Sequence, residues 1–168
     1  MNRVIIFFWL VLILFLQVFV LSNINFLGYL NPYIYIVFVF LYPLNKNRFL
    51  FLSLTFLYGL SVDFFSDTGG IHAFSLLFIG YLRLLFIKIF FKKTDIDYLL
   101  FSLRDQPFGQ VFNYVVTLTL IHHFILISLA NFSFSNLGSV LLNTLYSSIF
   151  TLILYFLGSY IFRKKQMN

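Results

Sequence analysis

Cysteine is absent from the 168-residue sequence, which excludes disulfide bonds and thiolate metal sites. Charged residues are also scarce: they form 10% of the chain, where about 25% is usual for soluble domains. Apolar residues, by contrast, make up 61%. A soluble fold of this size has too little interior to hide that much apolar surface. The composition therefore predicts an integral membrane protein whose apolar side chains face lipid.

Six apolar stretches approach the length of about 20 residues that a helix needs to cross a hydrocarbon layer of about 30 Å. We predict spans at Val4–Leu21, Tyr29–Leu44, Arg48–Phe65, Ile71–Phe91, Gln110–Ala130 and Gly138–Phe162. The first is interpreted as a retained helix rather than a signal peptide, because no small-residue cleavage site follows it. The second is the shortest and has a proline near each end. The predicted fold is all-α, a compact six-helix bundle forming one transmembrane domain over residues 1–168.

The basic residues in the tails, in the connections and at the span boundary Arg48 occur only at every second connection. They are Arg3, Lys46, Arg48, Lys92, Lys93, Arg104, Arg163, Lys164 and Lys165. The first, third and fifth connections contain none. The positive-inside rule assigns the basic side to the cytoplasm, so we expect both termini there. The net charge of +6 is accordingly interpreted as a topology signal rather than a surface for nucleic acid.

Four of the spans each carry one polar residue near the outer face, at a depth of about 8–12 Å from a rise of about 1.5 Å per residue. These residues are Gln17, Asp63, His122 and Asn143. One interpretation is a set of interhelical hydrogen bonds that fixes the bundle. The other is a polar cavity, open to the outside, that holds a solute or a segment of a partner.

The sequence offers no convincing catalytic or metal-binding constellation. His122 and His123 are adjacent, so their side chains point about 100° apart on a helix instead of sharing a face as i, i+4 histidines do. Asp63 and Asp67 lack a third group of the kind an active site needs. No Walker-type loop and no G-x-S-x-G sequence occurs. We therefore predict a protein that is not an enzyme and has neither a cofactor nor a metal.

Two features belong to the expected cytoplasmic side. Arg83 and Lys88, in the inner half of the fourth span, are expected to extend to the lipid headgroups, and a partner-facing Arg83 is the alternative. Residues 94–106 predict an amphipathic helix with the apolar stripe Ile96, Leu99, Leu100 and Leu103. That helix either lies on the inner membrane surface or forms a docking face for a partner.

Between Tyr58 and Phe74 the chain has a glycine, an aspartate four residues later, a glycine-containing turn and a His-Ala pair. The positions are Gly59, Asp63, Gly69 or Gly70, His72 and Ala73. This order resembles the rod shape-determining MreD family. The later run from Leu103 to Phe108 and the sequence His122-His123-Phe124 are similar to that family too.

The resemblance implies a non-enzymatic scaffold in the bacterial inner membrane that regulates cell shape and lateral peptidoglycan synthesis. It implies MreC, a single-span periplasmic protein, as the direct partner, and MreB, RodA and a class B penicillin-binding protein as indirect ones. The expected contact surfaces are the turn at Asp63–His72 and the stripe at Asp95–Arg104. The family fold is similar to the substrate-binding subunits of energy-coupling-factor transporters, so the alternative function is a solute-binding subunit of a vitamin-type transporter.

Overall fold

The computed structural model describes residues 3–24, 30–44, 47–92, 101–132 and 137–164. Four long helices account for most of this part of the chain. They are α3 (Arg48–Ser66), α4 (Ile71–Phe91), α5 (Phe108–Asn131) and α6 (Leu137–Lys164). Each is long and apolar enough to cross a membrane. The corresponding predicted spans agree with these helices to within two residues at each end.

The N-terminal span is helical but irregular. Helix α1 (Arg3–Phe15) continues into a π-helical turn at Leu16–Val20 and a 3-10 turn at Leu21–Asn23. The apolar helix at Phe8–Asn23 is shorter than the four long ones. The predicted span 4–21 is therefore helical, although its last turns depart from α geometry.

The second predicted span, 29–44, is not one continuous helix. Its described part contains only a 3-10 turn at Ile34–Ile36 and the five-residue helix α2 (Val37–Leu41). These eight residues rise roughly 13 Å, against a hydrocarbon layer of roughly 30 Å. Tyr42 ends α2 in an extended conformation, as a residue before proline prefers. The described residues therefore contain four helices that are long enough to cross a membrane, and the second predicted span is helical only in part.

This short piece, residues 30–44, lies in the middle of the bundle and is termed the central segment. Tyr35, Ile36 and Val39 are completely buried. The long helices pack side by side in chain order, α3 on α4, α4 on α5 and α5 on α6, while the central segment contacts α1, α4 and α6. The core of the protein is thus built around its least regular part.

The outer surface of the bundle is covered with large apolar side chains. Examples are Phe8, Phe49, Phe64, Phe74 and Tyr160, all more than half exposed. Contiguous apolar surface of this extent is unfavourable in water and suits a lipid environment. Together with the four long apolar helices, it gives the chain the character of a multi-pass helical membrane protein.

Helices α3 and α4 form a hairpin whose ends are fixed by local chemistry. The Asn47 side chain caps α3 by accepting a hydrogen bond from the Leu50 N–H at 3.0 Å. At the other end Asp67 adopts a left-handed conformation, and Gly69 and Gly70 turn the chain at φ 64° and 99°. Glycine tolerates such angles because it has no Cβ.

The predicted amphipathic helix at 94–106 is tested only at its end, since Ile96, Leu99 and Leu100 lie outside the described residues. Leu103 belongs to a 3-10 turn, Leu103–Asp105, that follows an extended Ser102. A continuous α-helix through Leu103 is therefore wrong. The reason is packing: Phe101 and Leu103 both lie against the core, and the Phe101 ring is 5.1 Å from that of Phe91.

Candidate functional site

Polar side chains from the central segment and from five other parts of the fold meet in the middle of the bundle. We term them the polar cluster: Gln17, Tyr33, Tyr35, Asp63, His72, His122, His123 and Thr151. All except the half-buried Tyr33 are at most 5% exposed. Buried polar groups need hydrogen-bond partners, and in lipid no water supplies them. The hydrogen-bond partners of these side chains therefore indicate the role of the cluster.

Gln17 holds the start of the central segment. Its amide nitrogen Nε2 donates to the Pro32 carbonyl at 3.1 Å, and its oxygen Oε1 accepts from the Ile34 N–H at 2.8 Å. The Pro32 carbonyl precedes the 3-10 turn, and the Ile34 N–H belongs to the first residue of that turn, where no helical acceptor is available. The Gln17 side chain thus takes the place of the helical partners that these groups lack.

Thr151 of α6 satisfies a third backbone group of the segment. Its hydroxyl oxygen accepts from the Tyr33 N–H at 2.9 Å and lies 2.9 Å from Nε2 of His123. The other nitrogen of His123, Nδ1, lies 2.9 Å from the Thr119 carbonyl. A carbonyl only accepts hydrogen bonds, so the proton of a neutral His123 is on Nδ1. The Thr151 hydroxyl has one proton, which it shares between Nε2 of His123 and the Ser147 carbonyl, also at 2.9 Å.

Tyr35 connects the α4 side of the cluster, at His72, to the α5 side, at His122. Its hydroxyl lies 2.8 Å from Nδ1 of His72 and 2.8 Å from Nε2 of His122. A hydroxyl has one proton, so one of these histidines donates to Tyr35 and the other accepts from it.

The neighbouring histidine decides which one donates. Nδ1 of His122 is 3.4 Å from Nδ1 of His123, which carries a proton. Two N–H groups facing each other would repel, so the proton of a neutral His122 is on Nε2 and donates to Tyr35. Tyr35 then donates to His72. The network therefore has one direction, from His123 through Tyr35 to His72.

Asp63 lies near the end of α3, just before the turn to α4. Its two carboxylate oxygens accept from the N–H groups of His72 at 3.0 Å and Ala73 at 2.7 Å, and from the Thr68 hydroxyl at 2.6 Å. These backbone groups are free donors at the N-terminus of α4, where negative charge is favourable. Asp63 therefore caps the next helix.

The contact between α3 and α4 explains Gly59. A Cβ on Gly59 would lie 2.6 Å from Cα of Ala73 and 2.9 Å from the His72 carbonyl oxygen. Only glycine allows the two helices to approach so closely. Gly59, Asp63, His72 and Ala73, which were separate features in the sequence, are thus in direct contact.

Arg83 does not extend to the headgroups, so that prediction is wrong. The side chain is 3% exposed and donates through Nη2 to the Tyr42 carbonyl, at the end of α2. Its guanidinium carbon lies 5.0 Å from the centre of the Phe51 ring. Arg83 therefore serves the other end of the central segment, because Tyr42 leaves the helix there and its carbonyl has no helical partner.

The predicted outer layer of four polar residues is brought together only in part. Gln17, Asp63 and His122 belong to the polar cluster, whereas Asn143 is half-buried on α6 and forms no bond to the cluster in the described part of the chain. Sequence reasoning missed Tyr33, Tyr35 and Thr151. Two tyrosines soon after Pro32 were an available signal, because a buried tyrosine hydroxyl needs a partner.

The polar cluster is filled by protein. Gln17, Tyr35, His122 and His123 are 0% exposed and bonded to other protein groups. A large concavity, of about 430 Å³, is an open groove between α5 and α6. Its lining is apolar: Phe112, Ile149, Leu152, Ile153, Phe156 and Leu157. Within the described residues, no three His, Asp or Glu side chains are placed to hold a metal ion.

Fold and cluster together define a helical, multi-pass type of membrane protein with a packed polar interior. No family model matches the chain, and no curated protein or solved structure is similar enough to be matched to it.

Proposed function

We propose that this protein is a non-enzymatic scaffold subunit of the cell-elongation machinery in the bacterial inner membrane. It would regulate cell shape and lateral peptidoglycan synthesis through MreC, and through MreC it would be linked to MreB, RodA and a class B penicillin-binding protein. In this proposal six segments lie in the membrane, with the central segment as the second, and both termini are cytoplasmic.

The observation that carries the proposal is the hairpin turn. The residues on which the resemblance to the MreD family rests form one structural unit, in which Asp63 caps α4 and Gly59 contacts Ala73. Such residues have a reason to occur together at that spacing, because each one is needed to close the turn. A resemblance built on four mutually contacting residues is stronger support than one built on scattered matches.

The packed interior favours a scaffold over the alternative of a solute-binding transporter subunit. Ligand sites are usually preformed concavities lined by apolar groups with a few convergent polar groups. Here the convergent polar groups are already bonded to the backbone of the central segment. A vitamin would have to displace that segment to reach them. A tight, saturable shift in melting temperature with a vitamin would favour transport instead.

The exposed aromatic residues of the hairpin provide the proposed contact with MreC. Phe64, at the turn, is 80% exposed. Phe49, at the opposite end of the same helix, is 81% exposed and is a matched control. Partners that meet inside a membrane contact each other by side-to-side packing, where exposed aromatic side chains contribute most.

Co-expression with an MreC homologue tests the proposal. We expect MreC to copurify with the wild type and with Phe49→Ala, and to be reduced several-fold with Phe64→Ala and with Asp63→Ala. If MreC does not copurify with the wild type, the proposed function fails. If all variants retain it equally, the contact surface is wrong while the function stands. Depletion of the protein in a rod-shaped host should also give rounded cells.

A further inference from the structure

A small niche lies between α3, α4 and the end of the central segment. Its volume is about 20 Å³, room for roughly one oxygen-sized group. The lining residues are Pro43, Leu44, Arg48, Phe51, Gly80, Arg83 and Leu84. We term it the arginine niche, because two of these residues carry a guanidinium and none carries a carboxylate.

Arg83 brings an unused donor to the arginine niche. Its Nη2 is occupied by the Tyr42 carbonyl and its guanidinium also interacts with the Tyr114 hydroxyl, but its buried Nε–H has no partner at hydrogen-bond geometry in the described part of the chain. A buried charged donor without an acceptor is costly and rare in folded proteins. An acceptor that enters the niche would satisfy it.

Arg48 provides the second charge at the mouth. It is exposed, its Nη2 donates to the Tyr81 carbonyl at 3.2 Å, and its guanidinium carbon lies 4.7 Å from the centre of the Tyr81 ring. A guanidinium has five N–H donors, so this single bond leaves others for a ligand. Arg48 also starts the 19-residue helix α3, whose N-terminus adds partial positive charge.

Negative charge lies elsewhere among the described residues. Asp63 and Asp67 are at the opposite end of α3, and Asp105 is in the connection before α5. Two guanidinium groups and a helix N-terminus therefore act on the niche without a counter-charge from its own lining. An anion with several oxygens fits this arrangement, and phosphate pairs well with arginine.

We propose that the arginine niche binds the phosphate of an anionic membrane phospholipid. One phosphate oxygen enters and accepts from Nε of Arg83, while the remaining oxygens stay at the mouth with Arg48. A lipid is the source because Tyr81, which contacts Arg48, is an exposed side chain of the lipid-facing surface, as are Phe49 and Leu85, the sequence neighbours of the lining residues Arg48 and Leu84. The inference is independent of the proposed role in cell elongation.

Native mass spectrometry of the full chain in detergent tests this inference. The probes are phosphatidylglycerol, phosphatidylcholine with the same acyl chains, and inorganic phosphate. We expect phosphatidylglycerol to bind in preference to phosphatidylcholine, and Arg48→Gln to weaken it about tenfold, as the loss of one charge-assisted hydrogen bond would. Lys88→Gln is the matched control, an exposed basic residue on α4, and should change binding little.

A second variant keeps the test valid if truncation of Arg83 prevents folding. Arg83→Lys retains a positive charge but has no N–H at the Nε position, and we expect it to weaken phosphatidylglycerol binding as well. Equal binding of the two lipids, or an equal loss in Arg48→Gln and Lys88→Gln, would overturn the proposal. Displacement of the lipid by excess inorganic phosphate would overturn the assignment to a lipid.

Discussion

The α3–α4 hairpin and the central segment differ in how they are held together. The hairpin is closed by neighbours in sequence: Asp63 bonds Thr68, His72 and Ala73, at most ten residues away. The central segment is held by Gln17, Arg83 and Thr151, which come from three distant parts of the chain. Regular membrane helices satisfy their own backbone, whereas irregular backbone in a membrane depends on buried polar side chains.

This difference assigns a role to the polar residues inside the bundle. Residues that a sequence marks as expensive in lipid are often functional. Here Gln17, Arg83 and Thr151 bond the ends of the central segment, so that a piece of chain with little regular helix is stable in the middle of the fold. The comparison can be tested with single substitutions that remove either a contact of the hairpin or a hydrogen bond of the central segment.

The largest expected effect is that of Gln17→Leu, which has similar volume but no polar atoms. It leaves the Pro32 carbonyl and the Ile34 N–H without their partner. At about 1–3 kcal/mol for each orphaned group, we expect a loss of about 2–6 kcal/mol. SDS titration in mixed micelles measures it. Gln110→Leu, near the start of α5, is the control and should stay within about 0.5 kcal/mol.

Gly59→Ala tests the hairpin and should have the next largest effect. The new Cβ would lie 2.6 Å from Cα of Ala73, a backbone atom that moves only if the helices separate. We expect a loss of about 1–3 kcal/mol. Gly158→Ala on α6, where a Cβ meets nothing within 4 Å, is the matched control. A stabilised Gly59→Ala protein in the same unfolding assay would contradict the close approach of α3 and α4.

The hairpin and the central segment also differ in how far the sequence predicts their structure. The bounds of α3 and α4 were predictable because Asn47, Asp67, Gly69 and Gly70 signal helix ends locally. The central segment was mistaken for one continuous helix because its composition is as apolar as that of the long helices. Its structure depends on pairings such as Tyr33 with Thr151, 118 residues apart, which no local pattern encodes.

The candidate site, like the fold, was predicted only in part. Gln17, Asp63 and His122 were recognised as unusual because polar residues stand out in an apolar run. Their partners were missed, since the acceptors are mostly backbone groups whose exposure depends on where the helices break. Arg83 was misplaced for the same reason: its acceptor, the Tyr42 carbonyl, is free only because α2 ends at Leu41.

Tyr35→Phe should have a moderate effect, because it removes only one hydroxyl from the centre of the cluster. His72 and His122 each lose a partner at 2.8 Å while the ring still fills the core. We expect a loss of about 1–2 kcal/mol, in line with single hydrogen bonds inside membrane proteins. Tyr160→Phe, at a 67% exposed position on α6, is the control. Equal stabilities of the two variants would mean that the directional network contributes nothing.

Pro43→Ala should have the smallest effect and distinguishes local from distant control of the central segment. If Pro43 alone ended α2, its removal would let the helix continue and would free Arg83 from the Tyr42 carbonyl. We expect instead that Arg83 keeps Tyr42 in place, because burying a guanidinium without that acceptor would be costly. The stability should change by less than about 1 kcal/mol, and the helical signal in circular dichroism should stay the same. A gain of a full turn of helix would show that Pro43 alone ends α2. The central segment would then be controlled by local sequence signals, as the hairpin is, and the difference between the two regions would disappear.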